Sequence, residues 1–142
     1  VVSGKNLFTA QIVQGNLNSS GVEVTSAVRC RSNIGIEVSH ESVYQFSINE
    51  DVEIGAYFFN ASGTILSGFV AFTPHTITFT PPTNAKTVRF VFRYSNGANI
   101  TPSEITNPVL KDIEKAKKYL GWEPKILLKN GLIWYIISII II

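Results

Sequence analysis

Aromatic and polar side chains of the kinds that hold sugars recur along the sequence. Sugar sites in proteins commonly place an exposed aromatic ring against a pyranose face and surround it with hydrogen-bonding groups. The candidate rings and their polar partners are Tyr57, Phe59, Tyr94, Arg89, Arg93 and Glu37. Tyr57 and Phe59 share one face of an alternating strand, and they form a binding platform if that face is exposed. The alternative is that a neighbouring sheet or a loop buries this face as well.

The other reactive residue types form no recognisable catalytic pattern. His40 and His75 have no second His or Cys at a zinc-ligand spacing. Ser39-His40-Glu41 contains the residue types of a catalytic triad, but the triad roles require convergence in space and an oxyanion hole. The seven carboxylates before residue 111 show no spacing that pairs two of them for glycosidase chemistry. We therefore predict that the protein is not an enzyme and needs no cofactor.

A structural calcium site is the one cation site that the sequence suggests. Asn49-Glu50-Asp51 offers oxygen atoms, but calcium takes about six to eight of them and three adjacent turn residues are usually only a turn. The single cysteine, Cys30, excludes an intrachain disulfide. We interpret Cys30 as a half-buried thiol on a strand.

The charge distribution argues against nucleic acid as a partner. The net charge is +2, and residues 1–110 carry six Lys or Arg against seven Asp or Glu. Residues 111–142 carry six Lys against three acids and hold all of the positive excess. The first part therefore has no basic patch for a phosphate backbone. The apolar segment Leu132–Ile142 is shorter than the roughly 20 residues of a membrane span, so we expect no membrane span there.

Residues 1–107 show the alternation and the turn spacing of an all-β protein. Apolar and polar residues alternate in four runs, at 34–38, 44–48, 52–58 and 88–94. Asn60–Gly63 predicts a hairpin turn between the runs Glu53–Phe59 and Thr64–Val70. Short strands between regularly spaced turns are typical of a sandwich or a barrel.

From Pro108 onward the apolar spacing changes from that of strands to that of a helix. The predicted helical face consists of Leu110, Ile113, Ala116 and Leu120. We therefore predict an all-β fold, an antiparallel, jelly-roll-like β-sandwich over residues 1–107. We further predict a C-terminal appendage at 108–142, with one short α-helix at about residues 110–120 and an apolar end.

Several pieces of the first part occur in the order found in a known class of module. They are Gly4–Phe8, Gln14-Gly15, Ile36–Val38, Tyr44–Ile48, Tyr57–Gly68 and Phe79–Phe90. In this order they resemble the carbohydrate-binding-like β-sandwich modules in tail, baseplate and receptor-binding proteins of phages that infect Gram-positive bacteria. The resemblance implies an adhesion or structural element.

A short C-terminal stretch is similar to a different family. Asp112–Lys125, followed by Leu128 and Gly131-Leu132, resembles the tail of extended short-chain dehydrogenase/reductase enzymes, the nucleotide-sugar epimerases and dehydratases. Such an enzyme needs a Gly-rich turn for the pyrophosphate, and the sequence has no such motif. None of the five tyrosines has a lysine four residues later, as the family's proton transfer requires. The stretch therefore does not imply dehydrogenase activity.

Two functions remain open from the sequence. The first is a non-catalytic module that binds host-surface or cell-wall glycan, within a phage tail or a surface adhesin and beside other subunits of that assembly. The alternative is a purely structural or interaction module of a virion or surface assembly, with no sugar ligand. An exposed aromatic pair flanked by polar residues would favour the first, and a large dry patch would favour the second. Either function predicts a location in the virion tail or at the cell surface.

Overall fold

Antiparallel strands make up most of the regular structure. The structure is a computed structural model, and it describes residues 5–113. The strands in chain order are β1 Ile12–Gln14, β2 Asn16–Leu17, β3 Glu23–Val24, β4 Cys30–Ser32, β5 Ile36–Glu37, β6 Tyr44–Ser47, β7 Glu53–Phe59, β8 Val70–Pro74, β9 Thr76–Phe79, β10 Thr87–Arg93 and β11 Val109–Asp112. A 3₁₀ turn at Pro102–Glu104 lies between β10 and β11. The prediction of an all-β, antiparallel fold is confirmed.

The larger sheet is built around one long antiparallel pair. Strands β7 and β10 pair over seven residues each, from Thr87 opposite Phe59 to Arg93 opposite Glu53. The order across the sheet is β1-β4-β10-β7-β8, and β5 pairs with the start of β10. Buried residues occur on both faces of β7 and β10, so other parts of the chain cover both faces.

A smaller sheet contacts one face of the larger sheet through aromatic rings. Its strand order is β11-β6-β9. Phe46 of β6 stacks on Phe90 of β10, with the ring centroids 4.2 Å apart. The ring of Phe79, from β9, meets Phe90 edge-on at 6.1 Å. These rings belong to one main core that both sheets share.

The opposite face of the larger sheet, called here the outer face, is partly covered by the hairpin β2–β3. Leu17 of the hairpin, Phe59 of β7 and Val91 of β10 form a second buried cluster. The hairpin turn lies close to this cluster, since a Cβ atom added to Gly21 would be 2.6 Å from the ring of Phe59. The outer face therefore carries a small core of its own.

The smaller sheet continues past residue 107, the predicted end of the β-region. Strand β11 pairs with β6 and places Leu110 opposite Phe46. Leu110 is fully buried in the main core, and its carbonyl accepts a hydrogen bond from the backbone N–H of Leu7. The predicted helix is therefore wrong at residues 110–112, because pairing with β6 satisfies their backbone and buries Leu110. The remainder of the predicted helix and the apolar end, at 114–142, lie outside the described residues.

The predicted hairpin is confirmed at its turn and displaced in its return strand. The N–H of Asn60 donates to the carbonyl of Thr64, and the N–H of Gly63 donates to that of Asn60, both at 2.9 Å. Regular pairing with β7 then resumes only in β8, where Val70 lies opposite Ala56. The segment between the turn and β8 is irregular, and it shapes the site described next.

Candidate functional site

A groove on the outer face takes its shape from a change of register between β7 and β8. Phe59 pairs with Ile65, and Ala56 pairs with Val70. An advance of five residues from Ile65 to Val70 therefore lies opposite an advance of only three residues along β7. The extra residues bulge from the sheet and form a short wall at 67–69. Gly68 in this wall has a φ of 103°, which glycine adopts without strain.

Phe69, at the end of this wall, presents an exposed aromatic ring beside two others. Its side chain is the most exposed aromatic one in the described part of the chain, at 44%. Its ring centroid lies 4.7 Å from that of Tyr57 and 5.8 Å from that of Phe72. Gly55 makes room for these rings, because a Cβ atom there would be 3.1 Å from both phenylalanines. Tyr57, Phe69 and Phe72 are called here the ring cluster.

The hairpin β2–β3 forms the opposite wall of the groove. The hydroxyl of Tyr57 donates a hydrogen bond to the carbonyl of Leu17 at 3.2 Å. Glu23 of β3 forms ion pairs with Arg31 at 3.1 Å and with Arg89 at 2.7 Å. The hydrogen bond from Arg89 lowers the pKa of Glu23 below its usual value. These contacts fix the hairpin on the sheet and hold the wall in place.

The groove between the two walls has a volume of about 520 Å³. Its eleven lining residues are Asn16, Leu17, Asn18, Ser19, Arg29, Tyr57, Ile65, Leu66, Ser67, Gly68 and Phe69. Aromatic and aliphatic surface therefore lies beside uncharged amides and hydroxyls. This combination matches a sugar, which has apolar C–H faces and a rim of hydroxyl groups.

Two arginines lie against the ring of Phe72 but differ in their partners. The guanidinium of Arg93 is 3.9 Å from the ring centroid, and that of Arg29 is 4.8 Å from it. Arg93 forms an ion pair with Glu53 at 2.8 Å. Arg29 instead contacts the side-chain oxygen of Asn16 at 3.5 Å and lines the groove. Arg29 is thus the cation that faces the groove.

Tyr57 is the one predicted ligand-binding residue that lines the groove. Phe59 lies on the same face of β7, as predicted, but only 7% of it is exposed. Leu17 and Gly21 of the hairpin cover its ring. This burial contradicts the prediction of an exposed stacking ring at Phe59. The alternative, that another part of the chain buries this face of the strand, holds at that position.

Arg89 and Arg93 project from the outer face but are committed to contacts within the protein. In addition to Glu23, Arg89 donates to the carbonyls of Ser32 and Asn33 at 2.9 and 3.2 Å. Arg93 is held by its ion pair and by the ring of Phe72. Arg89 stabilises the hairpin wall, Arg93 packs against the ring cluster, and neither lines the groove.

Tyr94 and Glu37 lie away from the groove lining. The hydroxyl of Tyr94 donates to the carboxylate of Glu104 at 3.2 Å. Burial, followed by the nearby charge of Glu104, raises the pKa of Tyr94. Glu37 is exposed and pairs with the exposed Lys86 at 3.5 Å. The structure therefore does not bring these two predicted residues together with Tyr57.

Phe69 and Arg29 line the groove and Phe72 packs against both, but none of the three was among the predicted site residues. The available signal was Ser67-Gly68, which interrupts the apolar run that follows the Asn60–Gly63 turn. A glycine inside a strand pattern often marks a bulge. A bulge at that point would have set Phe69 apart from the strand.

The candidate calcium residues form a turn that ties two segments together. The side-chain amide of Asn49 donates to the carbonyl of Glu104 at 3.0 Å, and its oxygen accepts from the N–H of Thr106 at 2.9 Å. Within residues 5–113, no three His, Cys, Asp or Glu side chains lie close enough together to hold a metal ion. These residues also include no helix with the length and hydropathy of a membrane span.

A second cavity, of about 760 Å³, lies where the loops at 25–27 and 99–101 meet Gln14. The side-chain amide nitrogen of Gln14 lies within 2.9–3.0 Å of the carbonyls of Ser26, Arg29 and Ile100. Gln14 therefore holds these loops together. This geometry gives Gln14 a structural role.

Comparison with known proteins does not assign the chain to a family. The sequence matches no known protein-family model and no curated protein. The groove and its lining residues are therefore the features of the chain that bear on its function.

Proposed function

We propose that the chain contains a jelly-roll-like β-sandwich module that binds carbohydrate and catalyses no reaction. The ligand lies in the groove between the hairpin β2–β3 and the wall at 67–69. The observation that carries this proposal is the exposed ring of Phe69 beside Tyr57, in a groove rich in uncharged amides and hydroxyls.

The physical basis is the match between the two sides of a sugar and the two kinds of groove surface. The ring of Phe69 offers an apolar face for the C–H groups of a pyranose. Asn16, Asn18 and Ser67 supply donors and acceptors for its hydroxyls. The ring cluster packs over Gly55, and the ion pairs of Glu23 tie the hairpin wall to the sheet, so little ordering is required on binding.

The resemblance to phage tail modules supplies the biological setting of this proposal. The module would be part of a phage tail or of a surface adhesin, located in the virion or at the cell surface. Its ligand would be a host-surface or cell-wall glycan, and its neighbours would be other subunits of the same assembly.

Glycan-array binding of the full chain tests this proposal. Phe69→Ala removes the exposed ring and should weaken binding at least about tenfold. Ile34→Ala is the matched control, because Ile34 is an exposed apolar residue that does not line the groove. Tyr94→Ala should also retain binding. Absence of binding by the folded wild-type chain, or binding that Phe69→Ala leaves unchanged, would refute the proposal.

A structural or interaction module is the second candidate, and the outer surface of the hairpin favours it. Val22 and Val24 are 56% and 38% exposed there. Adjacent exposed valines suit contact with a neighbouring subunit. Val22→Ser would then weaken assembly and leave glycan binding unchanged.

A further inference from the structure

Arg29 is the one charged side chain among the eleven residues that line the groove. The other ten are apolar or uncharged polar residues. A ligand in the groove therefore meets a single positive charge with no lining carboxylate to neutralise it.

The other arginines of the described residues all have acidic partners, and Arg29 does not. Arg31 and Arg89 share Glu23, and Arg93 pairs with Glu53. Within residues 5–113, no carboxylate lies within 4.0 Å of the guanidinium of Arg29. Its contacts are the long hydrogen bond to Asn16 and the ring of Phe72.

The position of Arg29 strengthens its attraction for an anion. Its side chain is only partly exposed, and the ring of Phe72 replaces water on one side of it. A partly desolvated cation gains more from an opposite charge than a fully hydrated one does. The charge of Arg29 also reaches the groove lining, because it partly offsets the rise that burial causes in the pKa of the lining residue Tyr57.

We propose that the groove selects glycans that carry an anionic group, a carboxylate or a phosphate, which pairs with Arg29 while a sugar ring lies on Phe69. A guanidinium presents two parallel N–H donors, which fit either group in a bidentate manner. This inference rests on the proposed function, since it names the ligand class of the same groove.

The test uses the full chain and sets of oligosaccharides that differ only in one substituent. The immobilised oligosaccharides contain glucose, galactose, mannose or N-acetylglucosamine. Each is presented in an unmodified form and in a form with a phosphate on C6. The three hexoses are also presented in a form with C6 oxidised to a carboxylate. We expect at least one charged form to bind about tenfold more tightly than its neutral parent. This advantage should shrink at about 0.5 M NaCl, where charges are screened. Comparison of the two charged forms identifies the anion.

Arg29→Gln should abolish the advantage of the charged form, which is measured for each protein as the ratio of the dissociation constants of the neutral and charged forms. Arg29→Lys keeps the charge and should retain part of the advantage. Lys111→Gln, on β11 of the smaller sheet, removes an equal charge elsewhere and should retain all of it. Thermal unfolding of each variant verifies that it is folded, and the salt dependence of wild-type binding still tests the role of charge if Arg29→Gln is unstable.

The outcomes separate this inference from the proposed function. Equal binding of neutral and charged forms, or an advantage that persists in folded Arg29→Gln, overturns the inference and leaves the groove as a neutral sugar site. Failure of the folded wild-type chain to bind any form overturns both.

Discussion

Replacing Gly21 by alanine should destabilise the protein more than the same replacement at Gly63. The two glycines end turns of the same construction, Asn18–Gly21 and Asn60–Gly63. In each turn the glycine N–H donates to the carbonyl of the asparagine, at 2.8 and 2.9 Å. Their φ angles are 79° and 82°. The conformational cost of adding a Cβ atom is therefore nearly the same at both positions.

The two positions differ in what the added Cβ atom would meet. At Gly63 nothing lies within 4 Å, so only the positive φ opposes alanine, at about 1 kcal/mol. At Gly21 the Cβ atom would be 2.6 Å from the buried ring of Phe59. Forcing an extra methyl group into packed surroundings costs about 1–3 kcal/mol more. We expect Gly21→Ala to lower the free energy of unfolding by about 2–4 kcal/mol in total.

Urea denaturation of the wild type and both variants measures this difference. The midpoint should fall slightly for Gly63→Ala and much further for Gly21→Ala, with the slope unchanged. Phe59→Leu in the Gly21→Ala background should recover part of the extra loss, because it removes ring atoms from the clash. Equal losses at the two glycines would refute the reasoning, since they would show that the hairpin turn does not lie on Phe59.

Three further predictions concern Glu23 of the hairpin, the buried thiol of Cys30 and Gln14, which holds two loops together. Glu23→Gln should lower the melting temperature at neutral pH by only a few degrees, because the carboxylate is half exposed. The pKa of Glu23 is lowered by folding, so its contribution is present above the unfolded-state pKa and is lost as the pH falls through the folded-state pKa. The difference between wild type and variant should therefore shrink from about pH 5 downward in thermal melts, and a constant difference would contradict the ion pairs. Burial raises the pKa of Cys30 to about 11, so a thiol reagent at about pH 8 should label it only on unfolding, and rapid labelling of the native protein would contradict its burial. Gln14→Ala should lower the free energy of unfolding by about 1–3 kcal/mol because it removes the two amide N–H donors that the three loop carbonyls share, and a loss within error in urea titrations would contradict this role of Gln14.

The strands and turns were predictable because they depend on short-range patterns. The alternation at 52–58 and 88–94 predicted the strands β7 and β10, which the structure pairs with each other, and Asn60–Gly63 predicted a turn that the structure contains. Both signals depend on residues close in sequence, which fix backbone conformation and facing direction.

The errors arose where distant segments decide the outcome. Leu110 and Ile113 fit a helical spacing, but the free edge of β6 offers hydrogen bonds that draw residues 109–112 into a strand. The alternation of β7 placed Tyr57 and Phe59 on one face but could not show that the hairpin buries Phe59 and leaves Tyr57 partly exposed.

The groove was predictable only in part. Tyr57 was found through its strand, whereas Phe69 depends on the extra residues between Ile65 and Val70. Arg29 was not found because its distinguishing property is the lack of an acidic partner among the described residues. That property follows from tertiary placement and cannot be read from the residue type or its neighbours in sequence.

Binding of the full chain to purified Gram-positive cell walls tests the central claim most directly. Co-sedimentation of the wild type, Phe69→Ala and Ile34→Ala over a range of wall concentrations gives the affinity of each. The account predicts saturable binding that Phe69→Ala weakens at least about tenfold and Ile34→Ala leaves unchanged. Saturable binding that is equal in all three folded proteins would contradict a glycan site at the groove.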